Sequence, residues 1–424
     1  MDTSYQLSQL RNGCRIATAT LPSMSSVCVG IWSGTGSRHE RPHQSGISHF
    51  IEHMLFKGTS SRSAREISES IESLGGYLNA FTSEENTCYY ARASARHFKQ
   101  LSHVLMDMYL NPTFPAEEFL KEREVIGEEL SMYLDQPHHR VQELLNEVCW
   151  PKHALGRCIT GTHSSIKALS VGKLRNFWRQ HYVGQNTLIT VAGPIEHQHS
   201  IRCIRPLAAK LAPGSVPIEA PIKDNQNKPA RALIKRAGEQ VQLALGIKTG
   251  SRNDPKQHAL RVLNALLGEN MSSRLFQLLR EDHGMVYSIY SSQSFFNDVG
   301  LLNISAGMEA SNVEKGLQLI RKTLESLTLE LPDRKEVRQA CDYLAGQLDL
   351  HLENTENHMT WLGEHILGYG QLPDVDQLLK SLKSVTPSLI RETVRELAQP
   401  QNLNLAAVGP ANIRQIKDFD NWMA

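Results

Sequence analysis

The chain has 424 residues, 40% apolar and 21% charged, enough for a sizeable core and, at roughly 150 residues per domain, for two or three domains. Its formal net charge is +1 with no compensating basic block, and no run approaches the ~18 apolar residues of a membrane helix. These numbers argue against a collagen-like or low-complexity chain, against nucleic-acid binding as the main task, and against a membrane protein.

The first residues, MDTSYQLSQLRNGCRIAT, lack a continuous apolar h-region and do not read as a secretory signal. Seven scattered cysteines, Cys14, Cys28, Cys88, Cys149 and Cys158 among them, show no CxxC spacing. They read as reduced thiols, so a cytoplasmic location is expected. Residues 27–33 predict a strand, SGISHFIEHMLF a helix, and AREISESIESL a second helix that Gly75-Gly76 stops. YLNAFT and NTCYYARA form a hairpin around a polar turn, and helical patterns cover about 97–110, 116–134 and 138–149. The second half repeats the order with VQLALGI, KQHALRVLNALLG, SSRLFQLLRE, MVYSIYSSQSF and GLLNISAG, and residues 310–396 are mostly helical in pattern.

Two echoes support duplication. VCVGIWSGTGSRHE (27–40) matches VQLALGIKTGSRND (241–254), and LITVAGPI (188–195) matches LNLAAVGPANI (403–413), both about 215 residues apart. Between the halves, residues 211–230 carry Pro213, Pro217, Pro221 and Pro229 and read as an extended linker. The expectation is an α+β chain with two homologous domains, 1–210 and 231–424, each a largely antiparallel sheet packed with helices.

The sharpest chemical signal is His49-Phe-Ile-Glu52-His53. Residues i and i+4 share a helix face, so the two imidazoles point at one metal and Glu52 lies beside it. HxxEH is a zinc-hydrolase spacing: zinc acidifies a water and polarises a carbonyl, and the glutamate serves as base. A third protein ligand is needed. The acidic segment PAEEFLKEREVIGEELSMYL (115–134) offers Glu118, Glu122, Glu128 and Glu129, and periodicity does not choose among them. GTGSR and TGSR read as turns, not phosphate loops, and His138-His139 and the HQH at 197–199 read as surface histidines.

His49–His53 followed by GTS, with Glu122, Glu129, Gly75-Gly76 and Asn79-Ala80, resembles the pitrilysin/insulinase family of zinc peptidases over essentially the whole chain. The size is similar to its short two-domain members, such as the mitochondrial processing peptidase beta subunit. The resemblance implies one zinc ion per chain on His49, His53 and Glu129, with Glu122 orienting a ligand from behind. It implies an edge strand at Asn79, Ala80, Phe81 and Thr82 that takes an extended peptide. By themselves Arg280 and Tyr287 read as a helix cap and a packed strand residue; the resemblance makes them a substrate clamp. Leu263, Leu266 and Leu267 align with His49, Glu52 and His53, so the second domain resembles a silent partner. The expected protein is a zinc endopeptidase or oligopeptidase acting on extended peptides or leader segments. It is expected as a homodimer whose sites combine zinc from one subunit with Arg280 and Tyr287 from the other. A non-catalytic scaffold or chaperone-like subunit of the same fold is the alternative.

Overall fold

The computed structural model describes residues 3–410. Residues 1–2 and 411–424, which include the outer limits of both expected domains and the end of the LNLAAVGPANI repeat, lie outside the described residues. The protein is α+β, with two compact sheet-and-helix units. In the first unit, β1 (Ser4–Gln9), β2 (Arg15–Thr20), β3 (Ser26–Ser33), β4 (Tyr77–Thr82), β5 (Thr87–Ser94) and β6 (Thr187–Gly193) are ordered β1-β2-β6-β3-β5-β4. In the second, β7 (Ala230–Lys235), β8 (Gln240–Thr249), β9 (Val286–Phe295), β10 (Gly300–Glu309) and β11 (Leu403–Gly409) are ordered β7-β11-β8-β10-β9. Among the described residues only β2–β6 and β7–β11 pair in parallel. The repeats map onto equivalent strands: VCVGIWS is β3 and VQLALGIKT is β8, while β6 and β11 carry the second echo. Duplication is thus visible in both register and sequence.

The helices of the first unit that matter for the site are α1 (Ile47–Leu55), α2 (Ala64–Glu72), α3 (Phe98–Leu110) and α4 (Ala116–Asp135), followed by α5 (Pro137–Cys149). Each of the five expected helices in this stretch is present. Serine starts α2 through a capping box, in which the Ser63 hydroxyl accepts from Glu66 N and the Glu66 carboxylate accepts from Ser63 N. The expected hairpin is β4–β5, paired from Tyr77↔Arg92 to Thr82↔Thr87, and β4 ends the sheet. SSRLFQLLRE departs from a regular helix: a short α-turn, Arg274–Phe276, continues as the π-helical turn Gln277–Asp282.

The compact units differ from the consecutive segments 1–210, 211–230 and 231–424. Residues 132–156 belong with the second unit and residues 350–373 with the first. The reason is packing. The helix Thr355–Tyr369 lays Met359, Leu362 and Ile366 on Ala17, Cys28, Trp32 and Leu188 of the first sheet. Helix α5 lays Val141, Leu144 and Leu145 on Ala244, Leu301, Ala406 and Val408 of the second. Strand glycines admit both helices closely. A Cβ on Gly246 of β8 would stand 2.9 Å from Leu145 Cδ1, and one on Gly30 of β3 would collide with Met359 Sδ. Residues 212–229 contain neither helix nor strand, as the prolines led one to expect.

Candidate metal centre and active site

Helix α1 is amphipathic in a specific way. Ile47, Phe50, Ile51, Met54 and Leu55 are buried, which fixes the helix in the core and leaves His49, Glu52 and His53 on its more open side. Gly46 precedes it at φ +91°, and no side chain of its own caps the helix. Instead the fully buried Glu40 carboxylate accepts from Gly46 N at 2.8 Å and Ser48 N at 2.9 Å. A carboxylate at a helix N-terminus satisfies orphan amides and complements the dipole. Burial pushes the Glu40 carboxyl up to about 7 although both amides pull the other way. Sequence reasoning missed Glu40; an acid seven residues before the first residue of the helix falls outside any local capping pattern.

His49 Nε2 and His53 Nε2 approach Glu129 Oε2 at 3.8 and 3.6 Å. One donor atom from each residue lies within 4.8 Å of the other two. Ligand atoms around a tetrahedral zinc stand about 3.4 Å apart, so small adjustments of these side chains complete a set of two imidazole nitrogens and a carboxylate oxygen. The imidazoles are ready as ligands. Burial, and the neighbouring His53, push His49 down to about 3, leaving it neutral with a free lone pair. His53 Nδ1 donates to Glu122 Oε2 at 3.0 Å, which leaves Nε2 as the lone-pair nitrogen facing Glu129. Glu122 is buried and its other oxygen receives Lys57 Nζ at 2.7 Å. The other acids of α4 are placed differently: Glu118 pairs with Lys121 at 2.7 Å and Glu128 is exposed. Lys57 is a second residue that sequence reasoning missed; it lies two residues beyond the end of α1, outside the helical period.

Glu52 lies among His53 and Glu129, and burial raises its carboxyl above the usual range, opposed by the Thr82 hydroxyl and by His53. Thr82 Oγ1 donates to Glu52 Oε2 at 2.5 Å. Asn79, Ala80, Phe81 and Thr82 lie together on the edge strand β4, with Asn79 exposed and the other three half-buried. In the second unit, Arg280 stands in the π-helical turn with its guanidinium 5.0 Å from the Phe276 ring centre and 5.9 Å from that of Tyr287. Tyr287 is 78% exposed, so it is not the packed strand residue that its pattern alone suggested. The HQH segment also differs from expectation: His197 is buried, hydrogen-bonded to Ser8 Oγ at 2.8 Å and Thr18 Oγ1 at 2.9 Å. His138 and His139 are exposed. Cys14, Cys28, Cys88 and Cys149 are buried, and burial pushes each thiol up, away from nucleophilic use.

Two family models match consecutive parts of the chain: one described as Insulinase (Peptidase family M16) over residues 15–163, the other as Peptidase M16 inactive domain over residues 168–344. The fold and the HxxEH helix thus occur together in a chain that belongs to the insulinase family of peptidases, family M16. Among its relatives is a protein of Bacillus subtilis named as an uncharacterized zinc protease, 37% identical over 95% of this chain and 97% of that one. A Streptomyces coelicolor protein of the same description is 36% identical over 98% of this chain and 92% of its own. In fold, a crystal structure of a protease from Helicobacter pylori superposes with a TM-score of 0.91 at 21% identity, covering 96% of this chain and 100% of that one. Among the described residues no helix is long and apolar enough to cross a membrane.

Proposed function

We propose that the protein is a zinc-dependent endopeptidase or oligopeptidase that cleaves extended peptides or leader segments. The observation that carries this reading is the convergence of His49, His53 and Glu129, with Glu52 beside them on the same helix. A bound zinc ion supplies Lewis acidity, polarising the scissile carbonyl and making a water acidic enough to attack near neutral pH. His49, His53 and Glu129 hold one such ion per chain, and Glu122, steadied by Lys57, fixes the tautomer of His53. Glu52 takes the proton of the attacking water and passes it to the leaving amine. The peptide adds to the open edge of β4 at Asn79–Thr82, main chain to main chain. Arg280 holds the peptide backbone, and Tyr287 donates to the carbonyl oxygen as charge develops there. Their exposure and mutual stacking support a surface task over a core one. Two chains pair as a homodimer, each site combining zinc from one subunit with Arg280 and Tyr287 of the other. The seven free cysteines support a cytoplasmic setting.

The test is cleavage of a mixed library of short unstructured peptides, read by mass, with wild type beside Glu52→Gln. Cuts by the wild type alone support a peptidase; no cut by folded, zinc-loaded wild type favours a peptide-binding scaffold. Mixing Glu52→Gln chains with Tyr287→Phe chains should restore part of the activity if sites are shared. No recovery despite subunit exchange contradicts the shared site.

A further inference from the structure

The Glu52 carboxylate receives its hydrogen bond from a strand, not from its own helix. Thr82 Oγ1 donates to Glu52 Oε2 at 2.5 Å, and among the described residues no other hydrogen bond to that carboxylate is present. Thr82 is the last residue of β4, the edge strand, and pairs with Thr87 of β5. Thr87 is fully buried, and its hydroxyl donates to the Thr35 carbonyl at 2.9 Å while lying 3.5 Å from Thr82 Oγ1. With the Thr87 proton committed to Thr35, the Thr82 proton is free for Glu52. One oxygen of the carboxylate is thereby held, and Oε1 is left to receive a proton.

We infer that Thr82 is a positioning residue: its hydroxyl sets the orientation of Glu52 and ties the base to the strand that takes the peptide. This rests on the proposed peptidase reading and deepens it. A carboxylate pinned through one oxygen keeps the other in a reactive orientation without searching its side-chain rotamers, and small errors of placement are costly in rate. A peptide added to β4 fixes that strand further, so binding of substrate and setting of the base act through the same residue.

The test uses Thr82→Val, which keeps shape and removes the hydroxyl, and Thr82→Ser, which keeps the hydroxyl. Both are compared with wild type and Glu52→Gln for zinc per chain and for steady-state cleavage of a fluorogenic peptide built on a wild-type cut site. The expected result for Thr82→Val is kcat lower by about tenfold or more, KM within about twofold, and zinc unchanged, with Thr82→Ser recovering most of kcat. A Val variant with normal kcat, a change confined to KM, loss of zinc, or a Ser variant as poor as Val would each overturn the inference. If Glu52→Gln is inactive in the same series, only the role of Thr82 has failed. If Glu52→Gln remains active, the peptidase mechanism itself has failed.

Discussion

Helix α1 in the first unit and the helix Gln257–Leu267 in the second follow equivalent strands of equivalent sheets, yet their aligned faces have opposite chemistry. Leu263, Leu266 and Leu267 are all at most 4% exposed and extend the second core. His49, Glu52 and His53 are partly open and face polar groups from outside the helix: Glu129 for both histidines, Glu122 for His53 and Thr82 for Glu52. The leucine face needs nothing beyond burial, worth about 1.5–3 kcal/mol per side chain. The histidine face forgoes that burial and needs a buried carboxylate at its start, a Glu122–Lys57 pair behind it and the Thr82 hydroxyl in front. One scaffold thus serves either core or chemistry at this helix, and supporting polar groups mark which one.

The largest effect is expected when the first helix is given the second's face. His49→Leu combined with His53→Leu should abolish zinc binding and cleavage together, while the metal-free protein unfolds at equal or higher urea than wild type. The reverse change, Leu267→His, should destabilise the protein by about 2–4 kcal/mol, since it puts a polar ring into a buried apolar cluster. Equilibrium denaturation reads this, and zinc content and activity of the remaining folded protein should be unchanged. Lys57→Ala should act more gently on the same helix. Zinc affinity should fall, but by less than the about 10–100-fold expected for loss of Glu122, which itself orients His53, measured by competition with a chelator.

A smaller effect is expected from pH. His181 stacks on Phe177 with ring centres 3.8 Å apart, and burial pushes it down to about 4. The unfolded chain binds the extra proton below about 6.5, so stability is full above that pH and is lost as pH falls towards 4. In metal-free protein, His181→Asn should lessen the loss of unfolding free energy between pH 7.5 and 5 by about 1–2 kcal/mol. Urea titrations at the two pH values check this, and an unchanged slope would contradict it.

The duplicated plan was legible because strands such as VCVGIWS and VQLALGIKT carry dense apolar patterns with a glycine at matched places. The site helix was legible because HxxEH fixes spacing, partner type and face in five adjacent residues. The expectation of Glu129 rested on the resemblance, since Glu118, Glu122 and Glu129 share one face of α4 and a rotated helix would present Glu128 instead; in space Glu118 is engaged by Lys121 and Glu128 faces solvent. The exchange of α5 and Thr355–Tyr369 between units was not legible, because an amphipathic helix records that it packs but not on which sheet. Glu40, Lys57 and the hydroxyl of Thr82 were silent for a related reason. Each acts on α1 from another element, or from beyond its end, so no local period reports them.

The most direct measurement is zinc per chain and peptide turnover determined on the same preparations of wild type and Glu52→Gln. One zinc is expected in both proteins and turnover in the wild type alone, rising in proportion to zinc as the metal-free protein is reloaded. Turnover by Glu52→Gln free of contaminants, or wild-type turnover that does not follow zinc, would contradict this expectation.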